Sequence, residues 1–364
     1  MAQHTVTLIP GDGIGPEISE AMRAVVAASG ADIAWEQAEA GLPAIEQYGT
    51  PLPASTIEAV RKNKVAIKGP VTTPVGTGFR SVNVALRKEL KLYANVRPAR
   101  TLPGLPNRFT DVDMVIVREN TEDLYVGIEC EQGSPAAAHL ARVIEQEGLG
   151  TIASDAGISV KPISVSASRD IVRYAFDYAV SQGRSKVTAV HKANIMKHSD
   201  GLFLRVAREV AREYEGRVAF EDRIVDAFCM NMVTNPSQFD IVVLPNLYGD
   251  IVSDLAAGLV GGLGIAPGAN IGREEAVFEA VHGSAPDIAG QGKANPTALI
   301  LSAAMMLDYL GEMDAAAAIR EAIEAVFSEG RTLTADIRAM SQGGAVASTK
   351  EFTAAVVEKL QTRR

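Results

Sequence analysis

The stretch Asp240 to Asp254 constrains this chain more than any other: Asp-Ile-Val-Val-Leu-Pro-Asn-Leu-Tyr-Gly-Asp-Ile-Val-Ser-Asp. Ile241 to Leu244 is a short, largely β-branched apolar run closed by Pro245, the pattern of a buried strand that ends on a polar turn. After Gly249 the pattern becomes helical and carries Asp250 and Asp254 four residues apart, on one helical face. Two carboxylates side by side repel each other, so the pair either faces water or holds a cation between its members. Mg²⁺ and Mn²⁺ are the fitting ions, and the C-terminal end of a buried strand is where open α/β sheets place their ligands.

Further strands are expected at Val6–Ile9, Asp32–Glu36, Val65–Ile67, Leu92–Val96, Met114–Val117 and Val187–Val190, with helical patterns between several of them. Such alternation predicts an α/β fold with a mostly parallel sheet and helices packed on it. The glycine-rich turn Pro10–Glu17 leads into a helix with Ile18, Met22, Val25 and Val26 inward and Gly30 at its end. Pro16 occupies the third glycine position of the dinucleotide-binding fingerprint, so the turn reads as a tight connection with proline near a helix start. Asn295-Pro296 opens another helix, with Leu299, Ile300, Ala303, Met306, Leu307 and Leu310 inward, and a second spans Asp314–Glu329. Leu255 to Gly272 is uncharged and holds six glycines and Pro267, the pattern of a flexible apolar loop region and not of a membrane helix. Cys130 to Val160, with a Gly-Ser-Pro turn and a short helical pattern over Pro135–Glu147, reads as an excursion from the domain and a candidate dimer contact.

A chain of 364 residues suggests about two domains, and 47% hydrophobic with 22% charged residues is ordinary for a soluble globular enzyme. The net charge of −9 disfavours nucleic acid and anionic membranes, so any anionic ligand must meet a local cationic pocket. A strand almost at the N-terminus, with no basic leader or apolar segment, leads to the expectation of an intracellular, cytoplasmic protein. Cys130 and Cys229, far apart and without metal-type spacing, fit a reducing compartment.

That cationic pocket has candidates. Arg97 and Arg118 each follow an apolar strand, and Arg87 lies four residues beyond Asn83, with Ser81 just before it. Guanidinium forks bind carboxylates bidentately, so three converging arginines imply a ligand with several carboxylates; surface ion pairs are the plainer reading. Tyr125 and Lys192 are candidate acid and base, the lysine because a nearby metal and arginines disfavour its cationic form, although either residue alone is more often structural. In Glu279–Gly290, Gly283 permits close backbone approach and Ser284 with the local N–H groups suits phosphate. Asp287 is an acceptor for both hydroxyls of an adenosine ribose and repels a 2′-phosphate, or else it stabilises a turn.

Five motifs occur in order: Ile9–Glu17, Arg118–Glu122 (Arg-Glu-Asn-Thr-Glu), Val190–Met196 (Val-His-Lys-Ala-Asn-Ile-Met), Asn246–Asp254 and His282–Gly290. On these the chain resembles the β-decarboxylating dehydrogenases, the family of isocitrate, 3-isopropylmalate, homoisocitrate and tartrate dehydrogenases. The resemblance implies a non-Rossmann two-domain α/β fold with a clasp-like excursion. The large domain would comprise residues 1–92 and 261–364, the small domain 93–122 and 165–260, and the dimerisation clasp 123–164. It also implies a homodimer with active sites formed between subunits, Lys192 and Asp226 of one chain serving the site of the other. Asp250, Asp254 and the second chain's Asp226 would hold Mg²⁺ or Mn²⁺. Ser81 and Asn83 resemble the isocitrate pattern, with Arg87, Arg97 and Arg118 on the remaining carboxylates. Thr72, Thr73, Asn194, Glu279 and Asn295, with the loop His282, Gly283, Ser284, Ala285, Pro286, Asp287 and Ile288, match cofactor positions. Asp287 and Ile288, with Ala335 and Ala339, resemble NAD-dependent forms. The implied reaction is oxidation of isocitrate with Lys192 as base, then loss of CO₂ and protonation of carbon by Tyr125.

Overall fold

A computed structural model describes residues 3–72, 81–341 and 344–362. Its strands are β1 (His4–Ile9), β2 (Ile33–Gln37), β3 (Val65–Lys68), β4 (Ala94–Arg100), β5 (Asp113–Glu119), β6 (Glu129–Cys130), β7 (Ile158–Ser159), β8 (Lys186–His191), β9 (Ala219–Ile224), β10 (Ile241–Leu244), β11 (Pro267–Ile271) and β12 (Ala276–Ala280). Ten of them form one sheet in the order β2-β1-β3-β12-β11-β4-β5-β10-β8-β9. Both flanks are parallel, and the centre from β12 through β11 and β4 to β5 is antiparallel. The parallel strands β3 and β10 are buried along their whole length, as unbroken apolar runs covered on both faces must be.

The half of the sheet containing β1, β2, β3, β11 and β12 is drawn from the two ends of the chain, and the other half from residues between 94 and 244. They meet where Ala269, Asn270 and Ile271 pair with Val96, Asn95 and Ala94. Helix Thr297–Leu310 is buried on nearly every face, with Leu299, Ile300, Ala303, Met306 and Leu307 in the core, and Gly311 ends it at φ +86°. Helix Gly15–Ser29 buries Ile18, Met22, Val25 and Val26 and ends on Gly30 at φ +94°. The excursion is separate from the main sheet: β6 and β7 pair with each other, and helix Pro135–Gln146 buries only Ala137. Among the described residues no helix is long and apolar enough to cross a membrane.

Three expectations are corrected. Leu255–Gly272 is not a loop region: it completes helix Asn246–Val260, turns at Leu263–Ile265 and supplies β11 in the middle of the sheet. Its glycines serve backbone geometry, Gly261 at φ +128° and Gly262 at φ +99°. The helix bearing Asp250 and Asp254 begins at Asn246, before Gly249. β4 runs on to Arg100 through Pro98, so Arg97 sits inside a strand. β11 pairs only as far as Val96, and beyond it β4 is an edge on that side, where proline is tolerated.

Candidate active site

Arg118 lies beneath the first turn of helix Asn246–Val260. A Cβ at Gly249 would collide with the Arg118 side chain, so glycine is what lets the helix settle there. Asp123 ties the helix start to the Tyr125 turn, accepting the Leu247 N–H at 2.9 Å and the Leu124 N–H at 2.8 Å. It does so at φ +68°, a conformation costly for a non-glycine residue and held here by burial. Arg118, 1% exposed, donates from Nε to Asn246 Oδ1 at 2.9 Å and from Nη1 to Asp250. Its Cζ lies 4.7 Å from the centre of the Tyr125 ring, whose hydroxyl donates to Asp250 Oδ2 at 2.5 Å. One helical turn on, Arg97 Nη1 donates to Ser253 Oγ at 2.6 Å and to Asp254 Oδ1 at 3.4 Å.

The electrostatics follow from this crowding. Burial, and then the neighbouring Arg87 and Arg97, push Arg118 down to about 10. Arg97 is lowered by burial and by Arg87. Burial raises the Asp250 carboxyl, but Arg118, the Tyr125 hydroxyl and Arg97 outweigh it and hold Asp250 below its ordinary range. Asp254 goes the other way: burial raises it, Arg97 opposes and the Asp250 charge adds to the rise. Burial and then the bond to Asp250 raise the Tyr125 hydroxyl, favouring its protonated form.

Next to this group is a cavity of 120 Å³ whose polar wall is Lys68, Asn83, Arg87, Asn95, Arg97 and Glu279. Lys68 and Glu279 are register partners on β3 and β12, their Nζ and Oε2 2.8 Å apart and both buried. Arg87 Nη2 and Asn270 Nδ2 reach the other Glu279 oxygen at 3.1 and 2.7 Å. Burial raises the Glu279 carboxyl, yet Lys68 and Arg87 together hold it well below the usual carboxylate range. Among the described residues Arg87 Nε, Arg97 Nε and Arg118 Nη2 are buried with no partner, as are His282 Nε2, Asn83 Oδ1 and Asn95 Oδ1. Unsatisfied buried guanidinium donors are costly, and their convergence fits an anionic ligand with several acceptor groups. Ser81 caps helix Val82–Glu89, its hydroxyl accepting the Val84 N–H at 3.5 Å.

His282 and Gly283 line the same cavity, and some of the other cofactor candidates gather beside them. The Ser284 carbonyl accepts the Ile14 N–H at 2.9 Å, and a Cβ at Gly13 would strike that carbonyl, so the glycine-rich turn is a seat for the Ser284 loop. Ser284 Oγ and Thr72 Oγ1 are 2.7 Å apart, and the Thr72 N–H donates to Asp12 Oδ2 at 2.7 Å. Ala285 follows at φ +39°, strained for alanine and the kind of backbone outlier found at ligand loops. His282 Nδ1 lies 2.9 Å from the Gly283 carbonyl, and among the described residues its buried Nε2 has no partner. Pro286, Asp287 and Ile288 form an outer turn, and among the described residues no donor reaches the exposed Asp287 carboxylate. Asn295 Nδ2 donates to Asp336 Oδ2 at 2.9 Å. Thr73 lies outside the described residues.

Lys192, Asn194 and Asp226 stand apart from all this. Lys192 Nζ pairs with Asp226, which sits in the first turn of helix Val225–Thr234, and Asn194 is exposed on the turn after β8. Among the described residues no three acidic, histidine or cysteine side chains of one chain converge, so Asp226 does not join Asp250 and Asp254 here. The surfaces alongside are apolar: Ile195 is 68%, Met230 58% and Ile251 58% exposed.

Sequence reasoning overlooked Lys68, Asp12 and Glu17. Glu17 accepts the Gly292 and Ala294 N–H groups at 3.1 and 3.3 Å and pairs with Thr349, fixing the segment before Asn295. A lysine closing the apolar run Val65–Ile67 was a signal that the strand end needed a buried counter-charge.

The pattern of the isocitrate/isopropylmalate dehydrogenase family matches residues 5–356, and the chain belongs to that family. It is therefore an oxidoreductase of the isocitrate dehydrogenase kind, whose relatives use NAD or NADP with a divalent metal. The crystal structure of isocitrate dehydrogenase from Methylococcus capsulatus superposes with a TM-score of 0.89 at 49% identity, covering 99% of this chain and 100% of that one. A regulatory polypeptide of the mitochondrial NAD isocitrate dehydrogenase from Dictyostelium discoideum is 47% identical over 98% of this chain and 91% of its own. An NADP isocitrate dehydrogenase from Archaeoglobus fulgidus is 46% identical over 97% of this chain and 92% of its own.

Proposed function

We propose that this chain is an NAD-dependent isocitrate dehydrogenase that oxidatively decarboxylates isocitrate to 2-oxoglutarate, working as a homodimer with shared sites. The observation that carries the substrate is the set of buried donors, unpartnered among the described residues, on Arg87 and Arg97, which line one cavity, and on the neighbouring Arg118. Isocitrate offers three carboxylates and a hydroxyl. The arginines take two carboxylates, and Ser81 and Asn83 at the start of helix Val82–Glu89 receive the third. The two halves of the sheet are read as the large and small domains, with this site in the seam between them.

All-carboxylate donors suit Mg²⁺ or Mn²⁺, and Asp250 and Asp254, one helical turn apart on helix Asn246–Val260, are the residues of this chain that would hold the ion. When bound, the metal polarises the substrate hydroxyl and carbonyl oxygens and NAD accepts hydride from the substrate carbon. This chain's residues do the remainder. Arg97 and Arg118 orient the carboxylates, and Lys192 of a second copy takes the hydroxyl proton. Tyr125, kept protonated by burial and its bond to Asp250, supplies the proton to carbon once CO₂ has left. The exposed apolar residues Ile195, Met230 and Ile251, on the same elements as Lys192, Asp226 and Asp250, support burial against a second copy. The exposed Asp287, which no donor reaches among the described residues, supports NAD over NADP, by repelling a 2′-phosphate.

The test is formation of reduced nicotinamide by absorbance with Mg²⁺ or Mn²⁺, offering isocitrate, 3-isopropylmalate, homoisocitrate and tartrate, each with NAD and NADP. Turnover is expected with isocitrate and NAD, with kcat/KM lower by roughly a hundredfold for NADP. Preference for another acid would overturn the reading of Ser81 and Asn83. No turnover with any pair would favour a regulatory role, the one named for the Dictyostelium relative.

A further inference from the structure

His191 closes β8, is buried, and immediately precedes Lys192. The turn that follows is pinned at its backbone. The Lys192 carbonyl accepts the Ile195 and Met196 N–H groups at 3.0 and 2.9 Å, and the Lys192 N–H donates to the buried Asp200 Oδ2 at 2.7 Å. The next amide, Ala193 N–H, donates to His191 Nδ1 at 3.0 Å. A backbone N–H only donates, so Nδ1 must present its lone pair and the ring proton must sit on Nε2. Nε2 lies 3.3 Å from Asp222 Oδ1 on the neighbouring strand β9. The other Asp222 oxygen, Oδ2, is taken by Arg208 Nη2 and Nε at 3.0 and 3.3 Å.

We propose that His191 is a positioning residue for the turn that carries Lys192 and Asn194, and that Asp222 selects the tautomer this role requires. The role rests on the reading of Lys192 as the proton acceptor. A carboxylate facing Nε2 forces the proton there, which leaves Nδ1 free to hold the Ala193 amide and so aims the residue before it. Arg208 fixes which oxygen of Asp222 faces outward.

Three substitutions separate positioning from mere packing. In Asp222→Asn the Arg208 guanidinium holds the amide oxygen, so the NH₂ faces Nε2, pushes the ring proton to Nδ1 and sets donor against donor at Ala193. His191→Gln reaches toward Asp222 but offers nothing at the Nδ1 position. His191→Asn places its amide oxygen where Nδ1 was. Asp222→Asn and His191→Gln are expected to lower kcat about ten- to hundredfold, the scale of a misaimed reacting group, with KM for isocitrate and NAD little changed. Hydrogen–deuterium exchange across Lys192–Met196 rises in both. His191→Asn recovers most of kcat and the exchange protection. Wild-type kcat and exchange in Asp222→Asn, or a His191→Asn variant as impaired as His191→Gln, would overturn the proposal. Lys192→Met serves as the control: if it keeps turnover, the reading of Lys192 fails, while the exchange measurement still judges the positioning of the turn.

Discussion

Arg118→Lys is expected to lower kcat/KM for isocitrate by about a thousandfold while the protein stays folded. Arg118 serves Asn246 with Nε and Asp250 with Nη1, and among the described residues its buried Nη2 has no partner and is open to a substrate carboxylate in the proposed site. An ammonium is a point charge on a flexible stem and cannot fill three fixed directions. Each charge-assisted hydrogen bond in such a setting is worth about 1.5–3 kcal/mol, and two lost bonds reach the roughly 4 kcal/mol that a thousandfold represents. The lysine stem still packs beneath Gly249, so the circular dichroism spectrum and melting temperature should change little. Steady-state kinetics on the purified variant is the check, and a loss under about tenfold would reduce Arg118 to a support for the helix.

Glu279→Gln acts on stability. Glu279 is the shared counter-ion of Lys68 and Arg87, and removing its charge strands two buried cations, at a cost of about 3–5 kcal/mol. The double variant Lys68→Met/Glu279→Gln should recover part of that loss, because one stranded cation is gone. Because the folded-state pKa of Glu279 is depressed, its stabilising contribution is complete above the ordinary carboxylate range and is lost as pH falls through the folded-state value. Wild-type stability should therefore decline on acidification below about pH 4–5, and that part of the slope should be missing in Glu279→Gln. Denaturant midpoints measured from neutral pH down to about pH 3 decide it.

The sequence disclosed what is local. The Asp250–Asp254 spacing, the capped helix ending at Gly311 and the apolar runs of β3, β5 and β10 follow from periodicity and turn chemistry, and they were readable. The start of the Asp250 helix was not, because Asn246–Gly249 reads as a polar turn until Asp123, distant in the chain, accepts the Leu247 N–H. β11, Pro-Gly-Ala-Asn-Ile, has little strand propensity of its own. It is held between β12 and β4, and Asn270 bonds Asn95, Asn120 and Glu279. The same holds for the site. The arginines could be named from the chain, but the Lys68–Glu279 pair exists only because β3 and β12 lie side by side. Lys192 could be named from the chain and the family resemblance supplied Asp226, whereas within one chain the two pair with each other, away from Asp250.

That separation makes complementation between chains the most direct test of the proposed site. Lys192→Met and Asp250→Asn chains carrying different tags would be co-expressed, and the mixed dimer purified and assayed with isocitrate, NAD and Mg²⁺. If the base of each site comes from one chain and Asp250 from the other, the mixed dimer contains one intact site. It should then show about half the wild-type activity while both single-variant homodimers are inactive. A mixed dimer as inactive as the two homodimers would show that Lys192 and Asp250 of each site belong to the same chain, and the shared site would be wrong.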